Sequence, residues 1–145
     1  WMGPDMSALS SITARQMETW AHGQEVFDAL GAERVNGDRI KNICHLGVLT
    51  FSWTFKNRQM SAPEPVPFVN LTSPSGENWE WNDNQSKSSI RGNAVEFAQV
   101  VTQVRNIKDT SLEVIGHSAD QWMSLAQCFA GAPITPPVKG SRYKV

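Results

Sequence analysis

The sequence lacks most of the features that announce a chemistry by themselves. Two cysteines in 145 residues, Cys44 and Cys128, are too few for a disulfide framework, and there is no Cys-x-x-Cys pair. No glycine-rich phosphate loop occurs, nor an ordered set of Ser, His and Asp, nor any internal repeat or low-complexity segment. Basic excess is missing too. Against 14 Asp and Glu stand 13 Lys and Arg, so nothing attracts a phosphate backbone or an anionic membrane surface, and nucleic acid is not an expected partner. No apolar run approaches the roughly eighteen residues of a membrane span. Residues 1 to 30 also lack the charged start and apolar core of a secretory signal. No membrane association is expected, and the chain reads as cytoplasmic. In that compartment Cys44 and Cys128 should be free, buried thiols, and the Asn-x-Ser/Thr triplets at Asn70 and Asn84 chance matches.

What is present is an ordinary globular composition, 40% hydrophobic and 19% charged, enough for a real core. Ser7 is a plausible N-cap for a helix running to about Leu30, with Gly31 placed for a left-handed terminal residue. On the helical wheel Ser11, Glu18, His22, Glu25 and Ala29 form one narrow polar stripe. Leu9, Ile12, Trp20, Phe27 and Leu30 lie opposite, as the expected packing face. Glu18 and His22 are four residues apart, so a carboxylate and an imidazole stand one turn above the other. Two ligands at that spacing can share a metal ion, and they can equally be the solvated face of an amphipathic helix.

After a turn and cap at Asn36, Gly37 and Asp38, apolar residues recur at helical spacing from Ile40 through Cys44 and Val48 to Phe55, predicting one continuous helix. Prolines 63, 65 and 67 mark a stiff extended linker, after which the period changes to two. Val69 and Leu71, the turn Ser73-Pro74-Ser75-Gly76, and then Trp79 and Trp81 read as a hairpin, with a probable third strand over Lys87 to Arg91. Asn93 with Glu96 is a capping-box pattern opening a helix. A short strand over Leu112 to Ile115 follows. Ser118 with Gln121 repeats the capping pattern and opens a helix reaching Phe129 and Gly131. The reading is an α+β chain: a helical pair over 1–57, a proline-rich linker over 58–67, a small sheet covered by helices over 68–132, and a tail over 133–145, mobile from Lys139.

Several stretches match a known family in order: Trp1-Met2-Gly3-Pro4, Met6-Ser7, Thr13-Ala14-Arg15, and Met17-Glu18-Thr19-Trp20-Ala21-His22-Gly23-Gln24. They continue with His45-Leu46-Gly47-Val48, Leu71-Thr72-Ser73-Pro74-Ser75-Gly76-Glu77 with Trp79 and Trp81, Val100-Val101-Thr102-Gln103, Asp109-Thr110, and Ala126-Gln127-Cys128-Phe129-Ala130-Gly131. Over nearly its whole length the chain resembles the mycothiol-dependent maleylpyruvate isomerase-like proteins, a metal-binding branch of the DinB-like bundles. The resemblance implies a sterol-carrier-like fold after the linker and two of three metal ligands at Glu18 and His22. The third ligand, a histidine, belongs to an earlier bundle helix, which this chain is expected not to possess. The metal, such as zinc, is therefore expected to be incompletely held or absent.

Two functions follow. One is a non-enzymatic module that binds a small apolar or acidic molecule, or serves assembly, and that derives from a truncated isomerase-like protein. The other is a metal- and thiol-dependent isomerase or transferase whose site another chain completes, the metal making a small thiol nucleophilic. Trp79 and Trp81 share a sheet face and either line a ligand pocket or pack beneath a helix. His45 reads as a surface or hydrogen-bonded histidine, and His117 as a loop residue. Arg91 and Arg105 read as solvated or dipole-complementing charges, each able to bind a carboxylate. Two copies are expected to pair through residues 7 to 57 as a homodimer.

Overall fold

Helix α1 spans Ala8–Leu30, its first turn closed by the Ser7 hydroxyl, which accepts from the Ser10 amide at 3.1 Å. Gly31, at φ 63°, ends it in the left-handed conformation that glycine adopts without strain. The computed structural model describes residues 7–142, so the irregular lead-in expected over residues 1 to 6 and the last three residues of the tail lie outside the described part. The buried face of α1 agrees with the expected one only in part, at Trp20 and the half-buried Phe27. Ala14, Met17, Trp20, Gln24 and Asp28 point inward, while Leu9, Ile12 and Leu30 are 74%, 66% and 75% exposed. The stripe is rotated because Gln24 and Asp28 have buried polar partners, described below.

The helix expected as one piece from Ile40 is two: a single 3-10 turn, Asp38–Ile40, leads into α2, Lys41–Leu49, and α3 follows over Phe51–Lys56. Thr50 marks the joint. Its hydroxyl donates to the carbonyls of Leu46 and Gly47 at 2.9 and 3.0 Å, the side-chain competition that bends helices at threonine. Asp38 does not cap the following helix. Its carboxylate reaches the hairpin turn instead, accepting from the Ser75 amide at 3.0 Å and from the Ser75 hydroxyl.

The sheet has the order β2-β1-β3-β4, built from β1, Phe68–Thr72, β2, Asn78–Trp81, β3, Ser89–Asn93, and β4, Glu113–Ile115. β1 and β2 form the expected antiparallel hairpin, β3 lies parallel to β1, and β4 is antiparallel to β3. Cross-strand register places Val69, Leu71, Trp79, Trp81, Ile90 and Val114 on one face, and Asn70, Glu80, Arg91 and Glu113 on the other. The apolar face is covered from above by helices. α4, Ala94–Val101, starts directly from β3 with Asn93 accepting from the Val95 amide at 2.7 Å. Glu96 does not complete a capping box, since its carboxylate accepts from the Ser111 amide.

The last helix, α5, spans His117–Leu125 and is preceded by Gly116 at φ 90°, where an added Cβ would lie 2.0 Å from the Lys87 carbonyl oxygen. Ser118 is therefore inside the helix rather than its cap, and its hydroxyl contacts the Pro65 carbonyl and the Ser88 hydroxyl at 2.6 and 2.7 Å. α5 ends at Leu125, short of the expected Phe129, because Ala126 is extended with ψ 131°.

α3 closes at Lys56 and β1 opens at Phe68, on either side of the proline-containing segment. The hydrophobic core nevertheless runs across them. Met17, Trp20, Ile43, Cys44, Phe51 and Phe55 of the helical region belong to the same cluster as Val69, Leu71, Ile90, Phe97 and Trp122. Trp122 is its hub, with Phe51 and Phe97 edge-on to it at 5.1 and 5.8 Å between centroids. No helix among the described residues is long and apolar enough to cross a membrane.

Candidate functional site

Glu18, His22 and Glu25 rise along the solvent side of α1 as the wheel requires, and the fold turns that stripe into the wall of a cleft. The opposite wall is the irregular segment after α5. Gln127, 1% exposed, shapes that segment from inside: its Oε1 accepts from the Ile134 amide and Arg58, while its Nε2 donates to the Phe129 and Ala132 carbonyls. Gln103 adds a second clamp, its Nε2 donating to the carbonyls of Ala126 and Ile134 at 3.0 and 2.9 Å. The resulting cleft, of about 390 Å³, runs between Glu18, His22 and Glu25 on one side and Phe129, Ile134 and Pro137 on the other.

An apolar groove of about 240 Å³ adjoins it, lined by Leu46, Leu49, Trp53 and Cys128 and sharing Met17, Glu18, Phe129 and Ala130 with the cleft. The polar end is organised by charge. His22 Nδ1 lies 3.2 Å from Glu25 Oε2, and Arg142 Nη1 lies 3.2 Å from the other Glu25 oxygen. Because both hydrogens of the Gln103 amide nitrogen go to carbonyls, its oxygen must be the acceptor, and Gln103 Oε1 is buried with no hydrogen-bond partner. The cleft therefore offers acceptors at Glu18 and Gln103, an imidazole at His22, and an apolar floor continuing toward Trp53.

The tail expected to be mobile is tied down over its described part. Asn106 donates to the Pro137 carbonyl at 2.9 Å and the Gly140 amide to Asp109 at 2.8 Å, which brings Arg142 to Glu25.

Glu18 and His22 fit a metal only in part. They stand one turn apart and exposed, His22 turns toward Glu25, and no group of three or more His, Cys, Asp or Glu side chains comes together as a metal site among the described residues. His45 and His117 are elsewhere: His45 accepts from Trp81 Nε1 at 3.1 Å, and His117 is exposed at the start of α5. Trp79 is 4% exposed within the core, and Trp81 is edge-on to it at 6.5 Å. The cleft and groove are lined by other residues. Arg91 lies on the polar sheet face over the Phe68 ring. Arg105 is not a solvated charge, for it forms an ion pair with Asp28 at 3.0 Å, the two side chains 6% and 8% exposed.

Sequence reasoning missed the second wall. Phe129, Gln103, Ile134 and Arg142 belong to no periodic pattern that includes Glu18, and no local signal ties them to it. The thiol of Cys128 lines the groove but is inert near neutral pH, since burial pushes it up to about 12.

The chain is 41% identical over 133 residues to uncharacterized proteins from two strains of Mycobacterium tuberculosis, a match covering 92% of this chain and 52% of each relative. It thus spans about half the length of the curated relatives it matches. No family model and no solved structure matches the chain.

Proposed function

We propose that the chain is a non-enzymatic binding module whose ligand is a small molecule with an apolar body and a hydrogen-bond-donating head. One observation carries this reading: an apolar groove adjoins a cleft whose lining includes Glu18 and Gln103, and Gln103 Oε1 is buried with no hydrogen-bond donor among the described residues. A buried acceptor left unpaired costs about 1–3 kcal/mol, which a hydroxyl or amine head would recover on binding. Concave, largely apolar sites with a few convergent polar groups are the usual form of small-molecule sites. Trp53 reports on the groove directly. Titrating the chain with octanol, octylamine, octanoate and benzoate should change its fluorescence for the donor-headed chains first, and Trp53→Phe should remove that change. A response that survives Trp53→Phe, or equal binding of octanoate, would sink the reading.

The second reading, a metal- and thiol-dependent isomerase or transferase completed by another chain, is favoured by Glu18 and His22 lining the same cleft. Catalytic zinc normally uses three protein ligands, and this cleft offers two, Glu18 and His22. Elemental analysis of the purified chain decides between the readings. We expect no stoichiometric metal, whereas about one zinc per chain, lost on His22→Ala, would revive the enzyme. Assembly as a homodimer is supported by the apolar side chains that α1 leaves exposed, Leu9, Ile12, Val26 and Leu30, and is read by sedimentation across a tenfold concentration range. A cytoplasmic setting is supported by the two free cysteines.

A further inference from the structure

On the other side of α1, a second cavity of about 200 Å³ lies between the end of that helix, the loop after it and α4. It is polar where the groove lined by Leu46, Leu49 and Trp53 is apolar. Gln24 and Asp28, 5% and 8% exposed, both line it, and each carries an oxygen with no hydrogen-bond partner, Gln24 Oε1 and Asp28 Oδ2. The amide orientation is fixed, because Gln24 Nε2 donates to Asp28 Oδ1 at 3.0 Å and the flipped amide would set oxygen against oxygen. The other Asp28 oxygen has no hydrogen-bond donor among the described residues, Arg105 being bound at Oδ1.

The rest of the wall is built. Arg34 lies across α1, donating to the Trp20 carbonyl at 2.7 Å and stacked over the Trp20 and Phe27 rings at 5.0 and 5.5 Å. Gly23 makes room for it, since an added Cβ would meet its guanidinium at 3.3 Å. Four carboxylates, Asp28, Glu33, Glu96 and Asp109, line the cavity against two guanidiniums, Arg34 and Arg105, so the summed charge is negative. Its volume matches roughly six or seven waters at ~30 Å³ each.

We propose that this cavity is a binding site for a small organic cation, whose ammonium or guanidinium group donates to Gln24 Oε1 and Asp28 Oδ2. Both orphan acceptors want N–H donors at once, which an organic nitrogen cation provides from a single group. A bare divalent ion suits the site poorly, because the Arg105 guanidinium already holds the neighbouring oxygen of the same carboxylate. The site is separate from the cleft of Glu18 and His22 and does not depend on what binds there.

The test is calorimetric titration of the whole chain at low ionic strength with agmatine and putrescine, with glycerol and magnesium chloride as the neutral-donor and inorganic-cation arms. The expected result is saturable 1:1 binding of an amine, weakened at least tenfold by Gln24→Leu and by Asp28→Asn, several-fold by the rim change Glu33→Gln, and unchanged by His22→Ala. Circular dichroism confirms folding of each variant. If Asp28→Asn does not fold, Gln24→Leu and Glu33→Gln carry the test. Absence of saturable amine binding overturns the proposal, as does amine binding that ignores both Gln24→Leu and Glu33→Gln, or tighter binding of glycerol or magnesium than of either amine.

Discussion

Gly47→Ala probes the contact that fastens the helical region to the rest of the fold. Gly47 sits in α2, where an added Cβ would meet the Val101 side chain of α4 at 2.8, 3.0 and 3.1 Å. All three atoms belong to a β-branched residue that is 1% exposed, and its own Cβ, which no rotamer change moves, is itself only 3.1 Å away. Overpacking of this kind costs about 1–3 kcal/mol. Alanine in place of glycine within a helix returns up to about 1 kcal/mol. At 2.8 Å the clash lies toward the upper part of its range, and the net loss expected is about 1–2 kcal/mol, a fall in Tm of about 3–8 °C for a chain of this size. Val101→Ala alone should cost about 1.5–3 kcal/mol of buried surface. Combined, the two should be less destabilising than their sum by about 1 kcal/mol or more, because the smaller side chain admits the new methyl. Urea unfolding followed by tryptophan fluorescence measures all three variants. A Gly47→Ala protein as stable as the parent, or strictly additive losses, would refute the close packing of α2 on α4.

Three further predictions rest on other contacts. Asp28→Ala removes the buried ion pair with Arg105 and should cost about 1–3 kcal/mol in the same urea assay. The Asp38 carboxyl is held below its ordinary range, chiefly by the Ser75 hydroxyl, so it adds stability that is fully present above the unfolded-state value near ~3.9 and fades as pH falls through the folded-state value. Ser75→Ala should flatten that part of the acid unfolding profile, and an unchanged profile counts against the contact. Cys44 and Cys128 are both buried, with burial pushing each thiol well above its ordinary value. A thiol reagent at pH 8 should therefore leave both unmodified in the native chain and titrate both in urea.

Local signals in the sequence carried through where the cause is local. Ser7 and Gly31 bound α1, and the alternation of Val69, Leu71, Trp79 and Trp81 forms one face of a hairpin, because caps and pleats depend on neighbours a few residues away. Failures came where a distant partner decided the outcome. The face of α1 was misjudged because Asp28 pairs with a residue 77 positions later, so a carboxylate is buried and Leu9 and Ile12 are not. Ser118 and Glu96 carry capping signatures, yet both spend their side chains on other segments, at Pro65 and Ser111. Half of the candidate site was legible, the half on α1. Its other wall is an irregular segment held by the side chains of Gln127 and Gln103, whose bonds to carbonyls have no periodicity to read.

The central claim is that a ligand lies in the cleft along α1. Chemical-shift mapping of the amide-labelled chain with octanol, kept below its solubility limit, tests this most directly. The account predicts saturable shifts confined to residues 14–25, 46–53 and 102–104, to the segment 127–137 and to Arg142. Shifts centred instead on β2 around Trp79 and Trp81, or no saturable shifts at all, would contradict it.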